Sequence, residues 1–330
     1  MKNPLLFFCC LIPILLPARA DTTVIVATKL MGSRFVFTAV HGNADSALAA
    51  INAGITEVAR VEALISTWQP GSEASAVNRA AGIAPVQLSE ETFGLIRRCL
   101  RVAELTGGAF DPTFAAYDGL WRFDGSMSAP PSDSAIQQRL PLAGWQKVQC
   151  DTARHTVFLP LYGMKLGFGA IGKGYAAERA KAVMVQAGIR SGIVNAGGDL
   201  LCWGDDPEVA GGGWNIAIAN PRQREKAMAW VRVKNQAIVT SGNYEKFFDW
   251  QGRRYAHILD PRTGHPAEGV LSTTVICPNA ELADALATAL FVLGPTDGLA
   301  LIGQLNGVEG IVITALEEIK ISDNLQLQWE

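Results

Sequence analysis

Apolar and polar residues alternate in VIVATKL and again in RFVFTAV, on either side of a turn at Met31, Gly32 and Ser33, and this pattern predicts an opening β-hairpin. Leu48, Ile51, Ile55, Val58, Val61 and Leu64 then recur at helical spacing, which predicts an amphipathic helix from about Asp45 to Ser66 with one face in a core. Ser89 stands at the cap of a second helix, and Gly107 and Gly108 stop it near Thr106. The Gly-, Ser- and Pro-rich stretch FDGSMSAPPSDS reads as an exposed loop or a lobe boundary near residues 124–134. WQKVQCD and HTVFLP read as short strands, followed by a helix from about Ala170 to Ala187 and the strand GIVNAGG. The last third alternates strands in WNIAIAN, WVRVKN, AIVTSG, RRYAHIL and STTVICP with a helix from about Ala280 to Leu293, another to Leu305, and terminal strands. Strands in consecutive runs, without strict β-α-β alternation, predict an α+β architecture.

The first twenty residues do not belong to that pattern. Lys2, an apolar run from Leu5 to Leu16, and Ala18 and Ala20 before Asp21 compose a secretory leader with an A-x-A cleavage site, so the mature chain is expected to begin at Asp21, in the periplasm. Cys9 and Cys10 raise a lipid anchor as the alternative, but Phe7 and Phe8 before them are not the small residues such a site needs. No later run approaches the roughly 18 consecutive apolar residues of a membrane span. The whole chain carries a net charge of −3, and loss of Lys2 and Arg19 makes it more acidic, so nothing favours nucleic acid. Cys99, Cys150, Cys202 and Cys277 are too dispersed for a zinc knuckle or a C-x-x-C redox pair; buried free thiols and up to two disulfides are both open.

Chemistry concentrates in two places. The first is YAHILDPRTGHP followed by NAELADALATAL, which gathers His257, Asp260, Asp284 and Thr288. On a helix Asp284 and Thr288 lie one turn apart and share a face, and a carboxylate beside a hydroxyl suits a hard cation such as magnesium, which takes oxygen ligands. The plainer alternative has Asp284 complementing the positive end of the helix dipole and Thr288 turned to the core. The second place is LGFGAIGKGY. Gly167, Gly169 and Gly172 satisfy G-x-G-x-x-G, and Gly167 to Lys173 satisfy all but the last position of a P-loop, yet both labels fail. Gly174 has no hydroxyl for magnesium, and Asp199 comes later than the ~20-residue spacing of a dinucleotide-binding acid. What survives is a glycine-rich turn opening a helix, its amides facing forward and Lys173 in the first turn, an arrangement suited to a phosphate. Close helix-strand packing with an exposed lysine is the alternative.

The ordered set Met31-Gly32, ISTWQPGSEASAVN, GGAFDPT, YDGLW, GAIGKGYAAE, NAGGD, SGNYEKF, HILDPRTG and ADALATAL resembles the ApbE family, the FAD:protein FMN transferases, over nearly the whole chain after the leader. The resemblance implies a tunnelling-fold-like α+β core of mixed sheets and helices in two lobes with FAD between them. It also implies an enzyme that cleaves FAD and transfers FMN through its phosphate to a Thr or Ser hydroxyl of a target protein, releasing AMP, with magnesium at the diphosphate. Asp284, Thr288 and the carbonyl of Ala170 match the family's metal ligands. Met31, Trp68, Ala109, Phe110, Asp111, Lys173, His257 and Ile258 fall on its FAD-contacting positions. Each also has a plain structural reading: Met31 as a turn residue, Trp68 as an anchor, Phe110 as core, Asp111 as an Asx-turn before Pro112. Trp68 stands where many relatives have Tyr, and Gly172 where Ala is more usual, a change expected to loosen the turn.

Within that reading Lys173 neutralises phosphate charge and His257 is the candidate to accept the proton of the attacking hydroxyl, while Asp260 and Arg262 fix their loop. The expected acceptor is an exported domain of a membrane redox complex. Two rivals share the site: an FAD pyrophosphatase giving FMN and AMP, and a protein that only holds FAD. A Rossmann-type dehydrogenase is disfavoured by the acid spacing and by export.

Overall fold

The computed structural model describes residues 21–223 and 225–329; the predicted leader, residues 1–20, lies outside them. The opening hairpin forms as the alternation predicts: β1 (Thr22–Leu30) and β2 (Ser33–His41) pair antiparallel around Met31 and Gly32, whose φ values of 49° and 70° are the left-handed pair of a tight hairpin turn. Helix α1 (Ala44–Ile65) is capped by the Asn43 side chain and buries Ile51, Val58 and Val61. A short helix, α2 (Glu73–Arg79), follows, then β3 (Val86–Gln87) and α3 (Glu90–Leu105), which Ser89 caps as expected. A 3-10 turn covers Pro112–Tyr117, and α4 (Asp133–Arg139) ends the irregular stretch containing 124–132.

WQKVQCD is only partly a strand. Trp145–Lys147 form a 3-10 turn before β4 (Gln149–Asp151), because Gly144 turns the backbone at φ 129° and Asp111 accepts the Trp145 N–H at 2.9 Å. Next come β5 (Thr156–Phe158), α5 (Gly172–Gln186), β6 (Ser191–Ala196) and β7 (Asp199–Trp203). Then β8 (Trp214–Ala219), β9 (Ala227–Val233), β10 (Gln236–Gly242), β11 (Phe247–Trp250), β12 (Arg253–Ala256) and β13 (Val270–Cys277) run in succession. Helix α6 (Ala280–Ile302), β14 (Glu309–Thr314), β15 (Ile319–Ile321) and β16 (Gln328–Trp329) complete the chain. The break expected near Leu293 is real: Gly294 sits at φ 74° ahead of Pro295, and the second half ends at Ile302, short of Leu305.

The architecture is α+β. An eight-stranded antiparallel sheet, in the order β1-β2-β6-β7-β10-β13-β14-β15, stays open at both edges and does not close into a barrel. Helices α1, α5 and α6 cover one face and enclose the main core around Phe35, Phe37, Met184, Leu286 and Phe291. The β16-β9-β8 sheet lies against the other face through Trp214, Ile216 and Val231. A third cluster joins Tyr117, Trp121 and Ile136 to Phe248 and Tyr255 of the β11-β12 hairpin. Helix α6 is long and apolar enough to cross a membrane by composition, with a mean hydropathy of 1.7, but here it packs on β10, β13 and β14 as a core helix. Among the described residues Cys99, Cys150, Cys202 and Cys277 are free thiols, all buried except the half-buried Cys150.

Candidate active site

The glycine-rich turn is clamped from several sides before it opens α5. Gly167 donates its N–H to the Pro112 carbonyl at 2.8 Å, and a Cβ there would meet Ala115 Cβ at 3.0 Å. Asn78 of α2 holds Leu166 both ways, donating to its carbonyl at 2.9 Å and accepting its N–H at 2.7 Å. A Cβ on Gly172 would lie 3.2 Å from Ile65 Cδ1 and 3.5 Å from Met31 Cε, so the first residue of α5 sits against both the hairpin turn and α1. Met31 in turn donates its N–H to Glu62 at 2.8 Å. The start of α5 is thus closely surrounded at Gly172.

Gly174 explains why a P-loop hydroxyl has no place here. A Cβ would meet the Ala280 carbonyl oxygen at 2.1 Å and Asp284 Cβ at 2.9 Å, so only glycine lets the starts of α5 and α6 approach this closely. That approach brings Asp284 onto the start of α5, where its carboxylate accepts the N–H of Gly174 at 2.9 Å and is also hydrogen-bonded by the Lys173 N–H. The turn is an anion site, as its sequence predicts, but the anion seated on these two amides is the protein's own carboxylate. Glu178 laces the same junction by accepting the Ala280 N–H at 2.7 Å.

The Lys173 ammonium donates to Asp199, which is 3% exposed where β7 leaves the Gly197-Gly198 turn. Burial works against the charged lysine, but Asp199 and then Asp284 outweigh it and hold the ammonium above the usual lysine range. Burial raises Asp199 above the usual carboxylate range, with Lys173 opposing. Asp284, 4% exposed, is pushed up to about 7 by burial and then by the charge of Asp199, again with Lys173 opposing. Two buried carboxylates thus share one ammonium. Asp199 was legible only as a failed dinucleotide acid; pairing with Lys173 needs the β6-β7 hairpin, which sequence spacing does not show.

The second motif cluster braces itself. Asp260 accepts two hydrogen bonds from the Arg262 guanidinium, at 2.8 and 2.9 Å, and one from the Arg262 N–H at 2.9 Å. Tyr117 donates to the Pro261 carbonyl at 2.9 Å and Trp121 to the Gly264 carbonyl at 2.8 Å, which ties YDGLW to DPRTG. Gly108 faces the Arg262 stem and the Trp145 indole, each 3.7 Å from where a Cβ would lie. Asp111 is buried, with one oxygen taking the Thr113 N–H at 2.8 Å and hydroxyl at 2.7 Å and the other taking the Trp145 N–H. Burial raises its pKa against these bonds. Ala109, Phe110 and Ile258 are core residues whose side chains face inward.

His257 follows β12, with Nδ1 3.2 Å from the Lys246 carbonyl and its ring edge-on to Phe123. A carbonyl only accepts, so Nδ1 carries the proton and Nε2 keeps a lone pair. Burial pushes this imidazole down to about 4, with the charges of Lys246 and Lys173 adding to the effect, so it is neutral at pH 7. Thr288 lies one turn beyond Asp284, partly exposed, and Ala170 lies two residues before α5. Trp68, in the loop between α1 and α2, is 91% exposed.

Fold and site together define an α+β protein that sets a lysine and two buried carboxylates around the start of one glycine-opened helix. The chain belongs to the ApbE family, whose family model matches residues 31–312. It is 34% identical over 287 residues to the FAD:protein FMN transferase of Treponema pallidum, covering 83% of this chain and 79% of that protein. The Klebsiella pneumoniae protein of the same name is 32% identical over 274 residues, with 82% and 84% covered. Among solved structures, the ApbE protein of Thermotoga maritima matches with a TM-score of 0.83 at 31% identity, over 92% of this chain and 97% of that one. The apo form of the Pseudomonas stutzeri flavinyl transferase ApbE matches with a TM-score of 0.78 at 26% identity, over 92% and 94%.

Proposed function

We propose that this protein is a magnesium-dependent FAD:protein FMN transferase that joins FMN to a Ser or Thr hydroxyl of a target protein through a phosphoester and releases AMP. The observation that carries the reading is the meeting of Lys173, Asp199 and Asp284 at the start of α5, in a chain whose relatives bear that enzyme's name. Two buried carboxylates against one ammonium fit a divalent cation. Magnesium takes hydroxyl, carbonyl, water and substrate oxygens beside a carboxylate. Asp284, Thr288 and the Ala170 carbonyl are the residues that would hold it. When bound, such a cation stabilises charge on the diphosphate.

The chain's own groups do the rest. The acceptor hydroxyl oxygen attacks the FMN-side phosphorus, an O–P bond forms, the bond from that phosphorus to the bridging oxygen breaks, and AMP departs with the electron pair. Lys173 faces the charge that develops on those oxygens. His257 Nε2, already the unprotonated nitrogen, takes the hydroxyl proton. The exposed Trp68 ring and Met31 offer apolar surface to the flavin or adenine. Export by the leader ahead of Asp21 places the reaction in the periplasm, beside exported domains of membrane redox complexes as acceptors. The test is mass spectrometry of such a domain after incubation with the chain from Asp21, FAD and magnesium. The expected result is an FMN adduct with an equal amount of AMP. Free FMN made equally fast without the acceptor would identify a hydrolase, and no AMP under either condition would leave only a flavin carrier.

A further inference from the structure

Lys173, Asp199 and Asp284 bring one positive and two negative charges together, and the groups that look made for a phosphate are already engaged. The Lys173 and Gly174 amides serve Asp284, and the ammonium serves Asp199. A diphosphate arriving at this cluster meets two carboxyl groups against one ammonium that is already paired. We propose that Asp199 is a positioning residue whose charge makes binding of the FAD diphosphate conditional on a divalent cation: it holds Lys173 at the β6-β7 turn and keeps the cluster negative until the cation joins. This rests on the reading of the site as one that takes FAD.

The fold by itself does not call for a charge at this position. Asp199 accepts a backbone hydrogen bond from Thr240 and one from Lys173, and an asparagine oxygen of the same shape would accept both. Lys173 with Asp284 alone would make a neutral pair. The second carboxylate is in excess of that balance; removing its charge takes away the direct partner of Lys173, which costs stability, but leaves Asp284 as a counter-charge for the lysine. Its effect falls on what the cluster binds: repulsion of an anion and attraction of a cation. One unit charge at several ångströms, at an effective permittivity of about 20, changes such affinities on the order of 10- to 100-fold.

The experiment is equilibrium binding of FAD to the full mature chain at pH 8, followed by flavin fluorescence in chelator and in magnesium. The wild type is expected to bind FAD weakly in chelator and on the order of 10- to 100-fold more tightly with magnesium. Asp199→Asn should bind FAD in chelator more tightly than the wild type by a similar factor, and magnesium should add little. Asp199→Glu, which keeps the charge, should retain the cation dependence, whereas Lys173→Gln should bind FAD in chelator more weakly still. Equal wild-type affinity in chelator and in magnesium, or an Asp199→Asn that gains nothing in chelator, overturns the inference while leaving FAD binding intact. Absence of FAD binding in magnesium as well brings down the reading of the site itself. If Asp199→Asn does not fold, the wild type and Lys173→Gln decide: unchanged affinity of Lys173→Gln in chelator sinks the proposal.

Discussion

Gly174 donates its amide to the Asp284 carboxylate at 2.9 Å, and that bond exists because nothing but a hydrogen stands between Gly174 Cα and the Ala280 carbonyl. The last glycine of GKG thus sets the distance between two helices and, through it, the place of a carboxylate.

Gly174→Ala should accordingly push α5 and α6 apart. The colliding atom is backbone, 2.1 Å from the new Cβ, so the loss of stability should reach at least the ~3 kcal/mol upper end of ordinary overpacking, and transfer should fail with it. A Cβ in Gly172→Ala is tight only against the flexible end of Ile65, at 3.2 Å, with Met31 and Phe168 at an ordinary 3.5 Å, and should shift the melting midpoint little. Thermal unfolding of both variants checks the contrast; equal tolerance at the two positions would refute it.

The raised carboxyl of Asp284 has a signature in stability. Its folded value of about 7 lies above the ~3.9 of an unfolded aspartate, so the folded state holds a proton that the unfolded chain has given up between those values. Asp284 therefore contributes stability in acid that is lost as pH rises from about 4 through 7. In chelator the wild-type melting temperature should fall across this window more than that of Asp284→Asn. Added magnesium should remove the difference at pH 8. Parallel curves for the two proteins would contradict the assignment. The same substitution should leave a folded protein with flavin transfer reduced on the order of 10² or more.

His257 should leave no mark on the rate profile near neutrality. An imidazole held down to about 4 is already unprotonated above pH 5.5, so transfer should be flat with respect to this group from there to pH 8 and fall only toward pH 4. His257→Asn should cost on the order of 10² in kcat if the ring takes the proton. Retention of the rate within threefold would restrict His257 to a structural part.

Asp111 and Trp68 should separate fold from binding. Asp111→Ala strands the Thr113 and Trp145 amides in a buried place, each costing about 1–3 kcal/mol, and should lower the melting temperature sharply. Trp68→Ala removes a side chain that is 91% exposed and should leave the melting temperature unchanged while weakening FAD binding. FAD affinity as strong in Trp68→Ala as in the wild type would take that ring out of the site.

Much of the architecture was legible because it rests on local signals. The hairpin at Met31-Gly32, the cap at Ser89 and the break after Leu293 all follow from pattern and turn chemistry. Trp145–Lys147 departed from the expected strand because a distant carboxylate, Asp111, takes its first amide. Helix α2 was missed because its seven residues carry too little periodicity to show. In the site, Lys173 and Asp284 were each visible as chemistry, but their relation was not. It depends on the absence of a side chain at Gly174, and on Asp199 arriving by way of a two-glycine turn. A sequence shows which residues lack a Cβ; it does not show which carbonyl lies where the Cβ would have been.

The hydrogen bond between Gly174 and Asp284 spans 110 positions of the chain. Contacts of that separation form late, since the entropy of closing so long a loop is lost before the contact returns anything. The elements that surround Lys173 from the amino-terminal side, the hairpin, α1 and the glycine turn, precede α6 in the chain and, during synthesis, are present before it. The cluster of Lys173, Asp199 and Asp284 is therefore complete only once α6 docks, and a chain interrupted before residue 280 lacks the helix that supplies Asp284.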